Sequence, residues 1–372
     1  MSLKPLFITL LTTLTLLIPP STPYTHGPRP FSSLQNLDNL LKRQSSPELL
    51  ADLKTLSDSQ LTTVGKIIKD ILLLDRTTNS PQDFAGVRYS APGALGSTAC
   101  SQSTCCVWKY VADEIYSTFR NTETGTCNNL ARQAVRLAFH DSGTWSKTLG
   151  GSGADGSIIL AGEWTRGENR GMDDIVARIQ TWYDKYKPYG ARMGDLIQVA
   201  ATVGTVTCPL GPRIRLFVGR NSSSTAGAAG RLPDVNDSAE SILGLMADKT
   251  FRMSDVIALI GAHTVSRQRF VDPDRIGDSQ DSTPGVWDVR FFKETVQESA
   301  PEGVLRFASD KNLAAVSGGK AFFDSFADSA GNQFNWATAY SAAFIRLSLL
   351  GVKNLNNLKE CTSVLPLRDL TA

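Results

Sequence analysis

This chain of 372 residues contains few histidines and no strong excess of either charge. Only three histidines occur, and 38 lysines and arginines nearly balance 36 aspartates and glutamates, which leaves a net charge of +2. No long basic run is present, so nothing indicates a surface for nucleic acid or for an anionic membrane. The length allows one large domain or two smaller ones. We therefore expect neither nucleic acid nor a membrane among the partners.

Long apolar runs are also scarce, and the one candidate lies near the first residue. Lys4 precedes an apolar run over residues 6–18, which is too short to span a bilayer comfortably and is typical of a secretory signal. We predict that residues 1–25 form this signal and that the protein is secreted. Six cysteines, which would form disulfides, and Asn-x-Ser glycosylation sites at Asn221 and Asn236 fit an oxidising secretory route.

Residues 26–96 are predicted to form an N-terminal extension or propeptide. Lys42 and Arg43 offer a dibasic processing site, and the alternative interpretation is ordinary surface charge. Apolar residues recur at helical spacing over residues 47–74, which predicts one or two amphipathic helices. Residues 77–96 are rich in turn-forming residues and are interpreted as a linker.

The rest of the chain predicts a mainly α domain that starts near Ser97. Strand patterns are short and isolated, as in residues 213–218. Apolar residues at three-four spacing predict helices over residues 103–120, 130–141, 172–186, 194–206, 238–248, 254–265, 289–298, 310–316, 319–328 and 332–350.

Two histidines remain after the predicted removal of His26. Arg136 and His140 lie one turn apart on the same face of a predicted helix, so a cation and an imidazole point together. Considered alone, His140 could be an ordinary hydrogen-bonded core histidine. His263 follows a strongly apolar helix and two small residues, which would allow a flat ligand to approach. A neutral imidazole at that position is suited to binding a metal.

Three motifs then occur together in order. They are Arg136-Leu-Ala-Phe-His140-Asp141, Gly150-Gly-Ser-Gly-Ala-Asp-Gly-Ser157 and Gly261-Ala-His263-Thr264, with Gly230-Arg-Leu-Pro-Asp234 and Ala308-Ser-Asp310 in the expected places. The set resembles the secreted fungal (class II-like) haem peroxidases of the plant, fungal and bacterial peroxidase superfamily, over roughly residues 99–366. The resemblance implies a mainly α haem peroxidase fold, in which a distal subdomain (97–240) and a proximal subdomain (241–372) sandwich the haem.

The resemblance also implies roles for individual residues around haem b. His140 would be general base and then general acid toward hydrogen peroxide, and Arg136 would stabilise the developing negative charge. Asn169 would accept the other ring proton of His140. On the opposite side, His263 would ligate the iron and Asp310 would accept its second ring proton. The aromatic residue of the secreted classes beside the distal histidine is Phe139.

Two calcium sites are implied by the same motifs, because carboxylate, hydroxyl and carbonyl oxygens suit Ca²⁺. The alternative is a pair of Asp-rich turns that cap helices. The distal set would be Asp141, the Gly153 carbonyl, Asp155 and Ser157. The proximal set would be Thr264, Asp281, Thr283, the Val286 carbonyl and Asp288.

Several positions depart from particular members of the family. The manganese ligands of the manganese-oxidising members are replaced by Asn129, Gln133 and Arg269, which would not make that site. The surface tryptophan of the ligninolytic members is replaced by Ala258. Family pairing implies the disulfides Cys100–Cys106 and Cys127–Cys208. This leaves Cys105 and Cys361, which could bridge each other.

The sequence thus predicts a secreted, monomeric haem peroxidase with two Ca²⁺ ions. Its substrates would be hydrogen peroxide and small phenolic or similar aromatic donors, which it oxidises in one-electron steps. A manganese-type or lignin-type high-potential peroxidase is one alternative. A secreted haem- or calcium-binding module without turnover is the other, although such a module would not need Arg136, His140, Asn169, His263 and Asp310 together.

Overall fold

A computed structural model describes residues 49–73, 80–327 and 330–371 of the chain. The predicted signal sequence, His26 and the Lys42–Arg43 site lie outside these residues. Within them, no helix is long and apolar enough to cross a membrane. The boundary between distal and proximal subdomains stays a prediction, because the described residues belong to a single compact unit.

The described ranges are mainly α-helical, as predicted from the sequence. The α-helices are α1 (Thr63–Leu73), α2 (Thr98–Ser101), α3 (Thr104–Phe119), α4 (Asn129–Ser142), α5 (Ser157–Leu160), α6 (Asp173–Tyr186), α7 (Met193–Thr207), α8 (Ala239–Asp248), α9 (Met253–Ile260), α10 (Arg290–Val296), α11 (Ala308–Ala315), α12 (Gly319–Ala327) and α13 (Ala330–Ser348). Short 3₁₀ helices cover Ala51–Lys54, Glu163–Thr165, Gly167–Asn169, Lys187–Tyr189, Gly261–Val265, Pro273–Arg275, Leu355–Asn357 and Thr362–Val364.

The helix that leads to His263 differs from its predicted form at both ends. We predicted a helix over residues 254–265 that starts at Ser254, but α9 starts at Met253. The start is set by Asp255, whose carboxylate accepts the backbone N–H of Arg252 at 3.0 Å. At the other end α9 stops at Ile260, and a 3₁₀ turn carries residues 261–265. His263 therefore lies in the tighter turn, not in the α-helix itself.

The centre of the fold is the packing of α4 against α7. All fifteen residues of α7 are buried. Gly204 of α7 makes the approach possible, because a Cβ there would lie 2.9 Å from the backbone oxygen of Ala131 in α4. Asn128 caps the start of α4 by accepting the backbone N–H groups of Leu130 and Ala131. Position and tilt of α4 are therefore set by a buried neighbour.

The only sheet in the described ranges is very small. Strand β1 (Phe217–Val218) pairs antiparallel with β2 (Lys359–Glu360), so the predicted strand over residues 213–218 is reduced to its last two residues. Disulfides Cys100–Cys106 and Cys127–Cys208 are present as the family pairing implied. The remaining cysteines form Cys105–Cys361, which joins α3 to the residue after β2.

The N-terminal segment over residues 49–73 packs into the body of the protein. It forms a 3₁₀ turn and α1, in agreement with the one or two predicted helices. Leu53 and Ile68 are completely buried. Arg346 of α13 donates from Nη1 to the backbone oxygen of Leu72 at 2.9 Å. Asn356 accepts the backbone N–H of Thr62 through its side chain at 2.8 Å. The segment is thus integrated into the core.

We predict that Ile68→Ala lowers the free energy of unfolding by about 2–5 kcal/mol, because it removes a completely buried side chain and leaves a cavity. The exposed Lys66 on the same helix provides the control, and Lys66→Ala should have little effect. Urea unfolding of both variants measures the difference. Equal stability of the two would mean that α1 does not pack as described.

Candidate active site

His140 lies near the end of α4 and is held by a side chain from another element. Its Nδ1 lies 2.7 Å from Oδ1 of Asn169, and Nδ2 of Asn169 donates to the backbone oxygen of Glu163 at 2.7 Å. Since the amide nitrogen is committed to Glu163, its oxygen faces the ring and requires a proton on Nδ1. Nε2 of His140 therefore carries a lone pair. Nε of Arg136 donates to that nitrogen at 3.2 Å.

The environment keeps the His140 imidazole neutral. Burial, followed by the positive charge of Arg136, lowers the pKa of His140 to about 3, although the hydrogen bond that His140 donates to Asn169 acts in the opposite direction. Burial and the nearby Arg170 also lower the pKa of Arg136, to about 10, so its guanidinium stays charged at neutral pH. The pair thus combines a neutral proton acceptor with a fixed positive charge.

Arg136 is oriented by the backbone of the loop that follows Glu163. Its Nη1 donates to the backbone oxygen of Arg170 at 2.9 Å, and Nη2 donates to that of Glu168 at 3.5 Å. The side chain is solvent-accessible although burial lowers its pKa.

His263 is also held through Nδ1, but its partner is a carboxylate. Its Nδ1 lies 3.0 and 3.2 Å from the two oxygens of Asp310, which is almost completely buried. Asp310 belongs to the first turn of α11, where the helix dipole favours a negative charge. Phe291 and Phe307 contact the imidazole edge-on, with ring centroids 5.7 and 5.6 Å away. The ring is fixed with Nε2 directed away from Asp310, and the side chain keeps 34% of its surface exposed.

Gly261 serves a different purpose from the one we expected. A Cβ at Gly261 would lie 2.5 Å from Nε1 of Trp336 and 2.7 Å from Cζ of Phe292. The small residue therefore lets the 3₁₀ turn pack on aromatic side chains of α13 and α10. Our interpretation that it makes room for a flat ligand was wrong, because this face of the turn meets the core.

One residue of this site escaped the sequence analysis. Glu163 is buried, and its carboxylate accepts the backbone N–H of Gly227 at 3.0 Å and Nη1 of Arg166 at 2.9 Å. Its backbone oxygen also orients Asn169. The only signal in the sequence is an acidic residue six positions before Asn169. Its partner Gly227 is 64 residues away, which local patterns cannot reveal.

The predicted distal calcium residues converge at the end of α4. Asp141 is completely buried, and its two oxygens accept the backbone N–H groups of Gly156 at 3.0 Å and Ile158 at 3.2 Å. Burial, followed by the charge of Asp155, raises the pKa of Asp141 well above its usual range. Oγ of Ser157 is buried without a hydrogen-bond partner. Gly153 adopts φ +131°, and a Cβ there would lie 2.3 Å from the backbone oxygen of Leu350.

The predicted proximal calcium residues also converge, next to His263. Oγ1 of Thr264 donates to Asp281 at 2.5 Å and lies 3.5 Å from both the Val286 backbone oxygen and Asp288. Oγ1 of Thr283 donates to Asp288 at 2.9 Å. Burial raises the pKa of Asp281 to about 7. No group of three or more His, Cys, Asp or Glu side chains in the described ranges forms a metal site, so neutral oxygens must complete either set.

Comparison with known proteins agrees with this arrangement. A family model described as Peroxidase matches residues 111–329. A peroxidase of Coprinopsis cinerea is 31% identical over 304 residues, which covers 74% of this chain and 81% of the relative. Ligninase H2 of Phanerodontia chrysosporium and manganese peroxidase 3 of Phlebia radiata are each 31% identical, and they cover 75% and 73% of this chain and 81% and 79% of their own lengths. The chain belongs to the peroxidase family.

Membership in the peroxidase family makes the chain a haem-dependent oxidoreductase that acts on hydrogen peroxide. The residues present fit haem. His263 offers Nε2 as a lone-pair donor because Nδ1 is committed to Asp310. His140 presents a neutral Nε2, and the exposed Arg136 side chain lies beside it. Phe139, partly buried, contacts His140 edge-on at 5.6 Å.

The positions that differ from manganese-oxidising peroxidases serve other purposes here. Gln133 is buried, and it accepts the backbone N–H of Ile175 at 3.1 Å and donates to Asp174 at 3.3 Å. Asn129 lines an open cavity that also contains Arg132, and Arg269 is exposed. This peroxidase thus has a buried amide and a cation where those members use carboxylates.

We predict that replacing the two histidines separates haem binding from the reaction with peroxide. His263→Ala should lose haem, because it removes the nitrogen that faces away from Asp310. His140→Ala should keep haem but react with peroxide about 10²–10⁴-fold more slowly, since its proton acceptor is gone. The Soret band after purification and its stopped-flow change with peroxide measure the two effects. A His140→Ala variant that reacts at the wild-type rate would contradict the assignment.

Proposed function

We propose that this peroxidase is a secreted, calcium-stabilised enzyme that oxidises small phenolic or similar aromatic donors in one-electron steps. The observation that carries the proposal is that each of the two histidines is held through its Nδ1 by a protein oxygen. His140 donates its Nδ1–H to an amide oxygen and His263 donates its Nδ1–H to a carboxylate. Nε2 of each ring therefore carries a lone pair. The arrangement fits a two-subdomain fold that holds haem b between residues 97–240 and 241–372.

His140 and Arg136 divide the work on the distal side. Nε2 of His140 takes a proton from one oxygen of peroxide and delivers it to the other, which leaves as water. This requires a neutral imidazole, and the low pKa of His140 keeps it neutral at working pH. The Arg136 guanidinium stabilises the negative charge that develops as the oxygens separate. Asn169 keeps the ring in the tautomer that can accept the proton.

His263 and Asp310 support the reaction from the proximal side. His263 would hold the iron through Nε2, and Phe139 would pack beside the haem on the distal side. The Asp310 carboxylate makes the His263 ring more electron-rich, because it accepts the Nδ1 proton as a charged partner. When bound, haem supplies the iron centre that takes oxidising equivalents from peroxide and passes them singly to donors.

The distribution of tryptophans supports small donors. Ala258 is completely buried, and its backbone oxygen accepts Nε1 of Trp336 at 3.0 Å. All six tryptophans lie in the described ranges, and none of them is exposed: Trp108, Trp145, Trp182, Trp287 and Trp336 are buried, and Trp164 is partly buried. A bulky donor therefore meets no exposed tryptophan on this surface. This observation argues against the high-potential alternative, as Gln133 argues against the manganese one.

Calcium binding is supported by the chemistry of both clusters. Asp141, Asp155, Ser157 and the Gly153 carbonyl would hold the distal ion, whose charge would stabilise the buried carboxylates and whose coordination would use the Ser157 hydroxyl. Thr264, Asp281, Thr283, Asp288 and the Val286 carbonyl would hold the proximal ion. Through Asp141 the distal ion would fix the end of α4, and through Thr264 the proximal ion would fix the residue after His263.

Secretion is supported by features outside the catalytic site. The apolar segment over residues 6–18 and three disulfides suit an oxidising compartment. Asn221 and Asn236 are both exposed, as glycan acceptors must be. We propose that the enzyme acts as a monomer.

Steady-state oxidation of three donors tests the proposed substrate class. We expect a simple phenol to be the best reductant. A non-phenolic high-potential aromatic should be poor because an exposed tryptophan is missing, and Mn²⁺ should be poorest because the carboxylates that would bind it are missing. The specificity constants kcat/KM at a fixed peroxide concentration give the order. A higher kcat/KM for Mn²⁺ than for the phenol would reject the proposed donor class.

Removal of calcium should destabilise the protein more at pH 8 than at pH 5. Without metal, the raised pKa of Asp281, about 7 against an ordinary value near 4, lets the folded state keep a proton that the unfolded state has lost. Metal-free stability therefore falls as pH rises from about 4 to about 7 and then levels off, whereas calcium binding strengthens as the proton leaves. Thermal unfolding with chelator or excess Ca²⁺ at both pH values measures this. A chelator effect that is equal at the two pH values would contradict the buried-carboxylate site.

A further inference from the structure

An open cavity lies beside the start of α4 and is lined by two arginines. It has a volume of about 470 Å³, within the usual range for small-molecule sites. Arg132 contributes from α4, and Arg267 contributes from the segment that follows His263. The remaining wall is polar or apolar but uncharged, and it includes Asn129, Thr126 and residues 283–286. No acidic side chain lines this cavity.

Neither guanidinium contacts a carboxylate within the described part of the chain. Nη1 of Arg132 donates to the backbone oxygens of Cys127 at 3.3 Å and Pro284 at 3.1 Å. Nη1 of Arg267 donates to the backbone oxygen of Gly277 at 2.7 Å. Nε of Arg132 is buried and has no hydrogen-bond partner. Burial, followed by the charge of Arg267, lowers the pKa of Arg132 to about 10, so the Arg132 guanidinium stays charged at neutral pH.

The walls of the cavity are fixed by covalent and backbone links. Cys127 is tied to α7 through its disulfide with Cys208, and its N–H donates to the backbone oxygen of Gly285 at 3.3 Å. Asp281 and Asp288 do not line the cavity, and they accept hydrogen bonds from the hydroxyls of Thr264 and Thr283. Arg132 and the exposed Arg267 thus line one cavity without a carboxylate partner in the described residues, and an anion bound between them offers the charged partner that both lack.

The cavity is adjacent to the proposed haem site. Arg132 precedes Arg136 by four residues on α4, so the two lie on one face about 6 Å apart along the axis. Arg267 follows His263 by four residues. A molecule anchored by a carboxylate at Arg132 thus lies one helical turn from Arg136.

We propose that this cavity binds the carboxylate of an anionic aromatic donor, and that Arg132 and Arg267 favour such donors over neutral phenols. The inference rests on the proposed function and extends it by naming a preferred substrate class. Arginine suits this role because its planar guanidinium donates two parallel hydrogen bonds to a carboxylate.

Calorimetric titration of the haem-loaded full chain with benzoate, benzamide and acetate tests binding without turnover. Benzoate should bind and benzamide should not, because only benzoate carries the charge. Arg267→Gln should weaken benzoate binding by about 10-fold or more, and Arg132→Gln should act in the same direction. Arg178→Gln, which removes an exposed arginine on α6, is the matched control and should leave binding unchanged. Since Arg267 makes no hydrogen bond to Arg136 or His140, its effect separates this site from benzoate bound beside that pair.

Steady-state kinetics provides the second arm. The KM for 4-hydroxycinnamate should rise by about 10-fold in Arg267→Gln, with kcat unchanged, while the KM for its methyl ester should not move. Equal binding of benzoate and benzamide, no binding of benzoate, or benzoate binding insensitive to Arg267→Gln would each overturn the proposal. Acetate binding as tight as benzoate would reduce the cavity to a simple anion site and overturn the donor assignment. Benzoate binding in a protein that does not react with peroxide would instead reject the proposed function and leave the carboxylate site in place.

Discussion

The close packing of α4 on α7 is the constraint on which the active-site geometry depends. Arg136 and His140 can act on one substrate only if the helix that carries them neither slides nor rotates. Gly204 permits the contact. The Cys127–Cys208 disulfide holds the chain two residues before the helix begins, and Asp141 holds the last turn by accepting two backbone N–H groups. A helix restrained at both ends and along one face presents its side chains with little positional freedom, which is what a preorganised site requires.

The two histidines differ in function because their acceptors differ in charge. An amide oxygen fixes the tautomer of His140 without adding charge, so the ring remains a weak base beside Arg136. A carboxylate fixes the same tautomer of His263 and at the same time increases its electron density. In the function that we propose, one motif, Nδ1–H donated to a protein oxygen, thus yields a proton carrier in His140 and an iron ligand in His263.

Local motifs allowed much of the fold and of the site to be predicted from the sequence. Helices such as α4 and α6 follow from apolar spacing, and the order of the motifs around His140 and His263 identified the family. Three features could not be predicted. They are the burial of Gly261 against Trp336, the hydrogen bond from Asn169 to Glu163, and the placement of Arg132 and Arg267 in one cavity. Each depends on residues that are distant in the chain, and the sequence of either partner alone carries no sign of the other.

The start of α9 shows a smaller failure of the same kind. Ser254-Asp255 has the composition of a helix start. Asp255, however, accepts the N–H of Arg252, and the helix begins one residue earlier than predicted, at Met253. Serine and aspartate both compete for free N–H groups at a helix end, so composition alone leaves a register ambiguity of one or two residues. In this helix Arg252 is the N-cap and Asp255 is the third helical residue, and Met253 between them is completely buried.

The Cys105–Cys361 disulfide links residues 256 positions apart, and this separation bears on how the chain matures. During synthesis Cys100, Cys105 and Cys106 emerge together, long before Cys361. Three thiols close together can form only one pair among themselves, so a wrong bond to Cys105 would exclude Cys100–Cys106. A chain that has made such a wrong bond reaches the native arrangement only by exchange through thiolate attack, and Cys105 then waits for Cys361 before its own bond can close.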